Sequence, residues 1–214
     1  MKTYMVKEMF RTLQGEGFFV GQSAVFLRFT GCNLWSGNER GRNNWARGTG
    51  AACPRFCDTD FVGGDKMVAS EIASRCAFLG AGENTIVVAT GGEPMLQLDF
   101  ELTRAIHGVG AKVHVETNGT ISPGKDTMES IDWVTLSPKV RPEMLRVRSC
   151  DELKVVVPSY SPKVFEGAVD AVHLFVQPED GPNKQANTDA CVKFIEDNPQ
   201  WRLSVQTHKE NGFP

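Results

Sequence analysis

The residues with the most chemistry in them are Cys32, Cys53 and Cys57, spaced C-x20-C-x3-C, and the turn Thr90-Gly91-Gly92-Glu93-Pro94 that follows them. Three clustered thiolates can hold three irons of a cubane cluster and leave the fourth iron open to a ligand. Two consecutive glycines let a backbone approach a ligand closely and expose its amide and carbonyl groups. Glu93 beside them is able to pair with an ammonium group, and Pro94 fixes the exit of the turn.

Two plainer uses of the cysteines compete with this one. Free cysteine is among the most buried residue types, which suits Cys76 beside Ile72 and Leu79, Cys191 near Phe194 and Ile195, and Cys150 ahead of a strand. It suits Cys32, Cys53 and Cys57 poorly, because Gly, Asn, Arg and Pro surround them. Structural zinc wants four ligands, commonly in two close pairs; this stretch has one close pair and no nearby histidine. A triad with one open position is the more natural cluster ligand set, and with the glycine turn it points to a radical S-adenosylmethionine (SAM) enzyme. Phe56, just before the last cysteine, is placed to pack on an adenine or shield a cluster. Residues 33–52 are an insertion between the first two cysteines, rich in Gly and Asn, whose Trp35 and Trp45 imply that it packs on something.

These residues need a scaffold that gathers them. Apolar runs recur at Tyr4–Phe10, Ala24–Phe29, Thr85–Thr90, Lys112–Thr117, Trp133–Leu136, Leu153–Val157, His173–Val176 and Trp201–Thr207, and they predict strands covered on both faces of a parallel sheet. Helical patterns fall near Ser70–Leu79, Leu98–His107, Pro162–Val169 and Thr188–Asn198, the last stopping before Pro199. The gaps at 121–131 and 138–152 are turn-rich and predict no good helix. The fold class is therefore α/β, with fewer helices than strands: an incomplete, modified TIM-like (β/α) barrel. A full eight-fold barrel takes roughly 250 residues, more than the 214 here, which form one domain (1–214). Polar clusters at the carboxyl ends of six strands imply one site lined from all sides. They are Gly31-Cys32, Thr90-Gly91-Gly92-Glu93, Glu116-Thr117-Asn118, Ser137-Pro138-Lys139, Gln177-Pro178-Glu179-Asp180 and Gln206-Thr207-His208. Ser137 and Lys139 suit a carboxylate or ribose hydroxyls, and Gln177 a purine edge or ribose. A second ligand is addressed by Leu13-Gln14-Gly15-Glu16-Gly17 and Arg28: an amide, a carboxylate and a guanidinium suit a heterocycle with donor edges and an attached carboxylate. Alternation with Leu27 and Phe29 equally allows Arg28 to be a solvated strand residue.

A net charge of −3 gives no basic field for nucleic acid. No apolar run approaches the roughly 18 residues of a membrane span, and the N-terminal stretch has no signal-peptide core. Both point to the cytoplasm, where clustered thiols bind metal more often than they form disulfides.

TLQGEG, RFTGCNLW, the Cys57-Asp58-Thr59 run, TGGEPMLQ, ETNG, SPK, ELKVVVP, LFVQPEDGPN and WRLSVQTHK together resemble the 7-carboxy-7-deazaguanine synthase family of radical SAM enzymes, over essentially the whole chain. The spacing departs from the usual C-x3-C-x2-C. The resemblance implies conversion of 6-carboxy-5,6,7,8-tetrahydropterin to 7-carboxy-7-deazaguanine with loss of ammonia, in the 7-deazapurine (queuosine) pathway. It implies a 4Fe-4S cluster on Cys32, Cys53 and Cys57, SAM on its open iron, and Mg²⁺ on Thr59. Cleavage of SAM would yield a radical that takes hydrogen from C6 of the pterin.

Carried onto this chain, Phe56, Cys57, Asp58, Gly91, Gly92, Glu93, Ser137, Pro138, Lys139, Gln177, Pro178, Glu179 and Asp180 are expected to contact SAM. Leu13, Gln14, Gly15, Glu16, Arg28, Thr90 and the terminal carboxylate of Pro214 are expected to contact the pterin. Glu116 and His208 are the expected catalytic residues. The resemblance also implies an electron donor such as flavodoxin or ferredoxin, and a homodimer. A radical SAM activase of a partner enzyme and a non-catalytic metal-binding protein on the same scaffold are the alternatives.

Overall fold

The computed structural model describes residues 1–53 and 57–214. Among them nine strands form one sheet: β1 (Tyr4–Leu13), β2 (Ser23–Phe29), β3 (Asp65–Met67), β4 (Ile86–Gly91), β5 (Val113–Thr117), β6 (Trp133–Leu136), β7 (Ser149–Val157), β8 (Asp170–Pro178) and β9 (Trp201–Leu203). Their spatial order is β3-β1-β2-β4-β5-β6-β7-β8-β9. β1 runs antiparallel to β2 and β3, and every neighbouring pair from β2 to β9 is parallel. No ladder joins β9 to β3 among the described residues, so the barrel is incomplete, as the sequence predicts.

Six helices accompany the sheet: α1 (Arg42–Thr49), α2 (Ala69–Phe78), α3 (Phe100–His107), α4 (Lys125–Glu129), α5 (Lys184–Asp197) and α6 (Thr207–Asn211). None is long and apolar enough to cross a membrane among the described residues. α2 buries Ala69, Ile72, Ala73 and Cys76, one face at helical spacing, against β1, β2 and β4. α3 starts where Asp99 accepts from Leu102 N at 3.0 Å, an N-cap that also accepts from Tyr4 Oη at 2.7 Å and so ties the helix to β1. β6 to β9 pack a second core with Phe165, Cys191 and Trp201, and this core also holds Leu34, Ala51 and Cys53 of the cysteine-bearing segment.

Two expected elements differ, and α4 places a short helix in the 121–131 gap, where the sequence predicts none. The strand predicted over Trp201–Thr207 ends at Leu203, and Thr207 opens α6. Thr207 donates from its backbone N and from Oγ1 to Gly15 O, at 3.0 and 2.9 Å, which draws the chain away from the sheet toward the end of β1. The helix predicted over Pro162–Val169 is a 3-10 turn, Pro162–Phe165; Gly167 then takes φ +73 and breaks it.

The amino-terminal half of the barrel interior is filled by rings. Phe18 and Phe19 reach in from the loop after β1, and Phe19 packs on His114 and Trp133 at 4.6 and 4.7 Å. Burial in this apolar setting pushes the His114 imidazole down to about 4, and Lys112 adds to the effect while Asp132 and Asp151 oppose it. A depressed histidine means that the unfolded chain takes up a proton more readily than the folded one. Stability is therefore whole above the ordinary value near 6.5 and falls as the pH drops toward 4. The shift corresponds to about 3 kcal/mol across that window. Urea unfolding at steps between pH 7 and 4.5 checks this: wild type should lose stability steadily, and His114→Gln should show a visibly flatter slope.

Candidate active site

The carboxyl ends of the strands open onto two adjoining cavities. The first, of about 450 Å³, is lined by Cys32, Cys53, Cys57, Gly92, Lys139 and Gln177, among others. The second, of about 300 Å³, is lined by Leu13, Gln14, Gly15, Arg28, His208 and Pro214, among others. Glu16, Asp58, Thr59, Thr90, Glu116, Gln206 and Lys209 line both, so the two share a wall.

Cys32 follows β2 and sits against the glycine turn after β4. Glu93 N donates to Gly31 O at 2.9 Å, which locks the two strand ends together. A Cβ on Gly92 would lie 2.1 Å from Gly31 O and 2.8 Å from Cys32 Cβ, so only glycine permits this approach. Cys57 N donates to Cys53 O at 2.8 Å. The insertion braces this turn: α1 opens at Arg42, whose two Nη atoms each donate to Cys57 O at 3.2 Å while its guanidinium lies 4.4 Å from the Trp35 ring. Trp35 is buried edge-on against Phe61, whereas Trp45 is partly exposed. Burial raises the Cys32 thiol and pushes Cys53 up to about 12, the neighbouring thiols adding to the effect and Lys139 opposing it at Cys53. Thiols of this kind ionise on binding a cation.

Among the described residues no three His, Cys, Asp or Glu side chains are arranged to hold a single metal ion. Three thiols around one cavity fit instead a group that takes one thiolate on each of several irons. Zinc, which needs its ligands converging on one point, fits less well.

Elsewhere around the first cavity, Lys139 Nζ donates to Ser137 Oγ at 2.6 Å, and burial lowers the Lys139 ammonium. Gln177 accepts from Ser204 Oγ at 2.8 Å. Asp58 and Asp180 are bridged by Lys209 of α6, and Pro178 and Glu179 continue the lining. Thr59 and Thr90 line both cavities. Around the second, Arg28 pairs with Glu8 at 2.7 Å and lines the cavity. A Cβ on Gly15 would lie 2.3 Å from His208 Nδ1, so the missing side chain lets His208 close in. Pro214 O accepts from Thr12 Oγ1 at 2.7 Å, bringing Pro214 to the rim. Gln14 Nε2 donates to Glu116 Oε1 at 3.1 Å.

Two expected ligand contacts are placed differently. Glu93 is fully buried and lines neither cavity; its carboxylate accepts from Met95 N, Thr117 Oγ1 and Asn118 N at 3.0, 2.7 and 2.7 Å. These bonds join the end of β4 to β5. Pro138 is buried and also lines neither cavity. Phe56 lies outside the described residues. Lys154 and Lys209 line the first cavity and were not expected there. For Lys154 a signal existed: a lysine interrupting the apolar run of ELKVVV.

An open parallel barrel with three thiols and a glycine turn at the carboxyl ends of its strands defines an enzyme of the radical SAM type. No family model matches the chain. It is 46% identical to the 7-carboxy-7-deazaguanine synthase of Bordetella pertussis over 99% of both chains. It is 45% identical to that of Burkholderia multivorans, over 99% of this chain and all of the other. The crystal structure of QueE from Escherichia coli superimposes with a TM-score of 0.67 at 25% identity, covering 96% of this chain and 95% of that one. The chain belongs to the 7-carboxy-7-deazaguanine synthase family. Relatives of one name across the full length do not favour the activase or the non-catalytic alternative.

Proposed function

We propose that this chain converts 6-carboxy-5,6,7,8-tetrahydropterin to 7-carboxy-7-deazaguanine with loss of ammonia, holding cofactor and substrate in the two adjoining cavities. The observation that carries the division is the shared wall: Glu16, Thr90 and Glu116 face both cavities, so ligands in the two would touch. Cys32, Cys53 and Cys57 would hold a 4Fe-4S cluster, which with SAM supplies the radical that starts the reaction. Gly91 and Gly92 present backbone to the methionine end of SAM, and Ser137, Lys139 and Gln177 offer donors and acceptors to its carboxylate and nucleoside. Arg28 and Pro214 grip the ends of the pterin, while Glu16 and Gln14 meet its heterocyclic edge. Glu116 and His208 stand where a proton is given or taken as the ring contracts. Thr59 would contribute a hydroxyl to Mg²⁺, a hard cation that prefers oxygen ligands. An external one-electron carrier such as flavodoxin or ferredoxin completes the reaction, and two chains associate.

The test is anaerobic reconstitution with iron and sulfide, then SAM, Mg²⁺, a reductant and the carboxytetrahydropterin, with product followed by mass spectrometry. The expected result is 7-carboxy-7-deazaguanine and an equal amount of ammonia. Cleaved SAM with an untouched pterin would keep the radical SAM class and remove the substrate.

A further inference from the structure

A lysine inside an apolar strand is costly unless its charge is met. Lys154 lies midway along β7, between Leu153 and Val155, and is 3% exposed. Its Nζ hydrogen-bonds Glu16 Oε2. The other oxygen of that carboxylate accepts from Gln206 Nε2 at 2.8 Å. Gln14 Oε1 accepts from Glu16 N at 3.1 Å while the same side-chain amide donates to Glu116, so these two acidic residues of the shared wall are linked. Lys154 itself lines the first cavity, and Glu16 lines both.

We infer that Lys154 is a positioning residue for the reaction: its ammonium fixes the Glu16 carboxylate as the acceptor that meets the N–H edge of the pterin at the wall between the cavities. The inference rests on the pterin reading above. The groups around Glu16 are Lys154 and Glu152 from β7, Glu116 from β5, Lys139 after β6, and His208 and Lys209 from α6. Lys139 is engaged by Ser137 and Lys209 by Asp58 and Asp180, so among the described residues Lys154 is the cation paired with Glu16. Burial pushes the Glu16 carboxyl up, but attraction to Lys154 and the bonds from Lys154 and Gln206 more than offset this and hold it at about 2. Without the ammonium, a buried carboxylate near Glu116 and Glu152 takes up a proton. The resulting acid offers a donor where the heterocycle offers its own, and recognition of that edge is lost.

The experiment titrates the pterin into reconstituted wild type, Lys154→Met and Lys154→Arg between pH 6 and 9, with KM, kcat and thermal melting measured alongside. Lys154→Met should weaken pterin binding about 10- to 100-fold at pH 7, the worth of a charge-assisted hydrogen bond. The loss should appear mainly in KM and shrink as the pH rises, and Lys154→Arg should restore most of it. Should Lys154→Met melt too low to assay, Lys154→Gln, which keeps a donor without a charge, reads the same shift. Wild-type affinity in the uncharged variant, or a loss that ignores pH and is not restored by arginine, overturns the inference. A wild type that neither binds nor turns over the pterin instead removes the functional reading on which the inference rests.

Discussion

Cys57→Ala and Cys32→Ala should each abolish turnover to background and remove most of the visible absorbance of the reconstituted protein, with the fold kept. The two thiols line the first cavity and are half-buried, so trimming them to alanine removes little packing. What is lost is a ligand, and with it the group that does the chemistry. Cys53 is the sharper case because it is also packed into the second core. If Cys53→Ala kept full iron content and activity, its assignment as a ligand would be wrong. Cys76→Ala and Cys191→Ala are the controls. Both thiols are fully buried in the two cores, away from the cavities, and those variants should keep their iron while losing only stability.

Gly92→Ala should be nearly as damaging, through geometry alone. The added methyl would meet backbone, Gly31 O at 2.1 Å, and not the far end of a flexible side chain. Relief requires β2 and β4 to part at the point where Cys32 is held, which costs about 1–3 kcal/mol of stability as overpacking. SAM binding by the reconstituted protein should fall at least about tenfold, since the turn that presents backbone to it has moved. Gly82→Ala, where the methyl meets nothing within 4 Å, should melt within error of wild type. Equal SAM affinity in Gly92→Ala and wild type would mean that this turn is not a binding element.

Much of the scaffold could be read from the chain because buried parallel strands write themselves as apolar runs. TIVVA and HLFVQ became parts of β4 and β8, and the polar residues just beyond them became cavity walls. α1 escaped notice because Arg42-Asn43-Asn44-Trp45-Ala46-Arg47-Gly48-Thr49 buries a single alanine and shows no apolar face. β3, three residues long with two exposed, leaves no pattern either. The partners of Glu93 are hidden for a different reason: Thr117 ends β5 and Asn118 follows it, and no local spacing reveals them. A glutamate after two glycines reads as a ligand contact, and only the fold brings these further partners to its carboxylate. The opposite holds for Lys154, whose place in an apolar run is anomalous in sequence and understandable only when Glu16 is brought to it.

The most direct test of the account is whether SAM and the carboxytetrahydropterin occupy the reconstituted protein together and in contact. A crystal structure with both bound should show SAM beside Cys32, Cys53 and Cys57, and the pterin between Arg28 and Glu16, with Thr90 and Glu116 touching both. Pterin and SAM competing for the first cavity, with the second left empty, would contradict it.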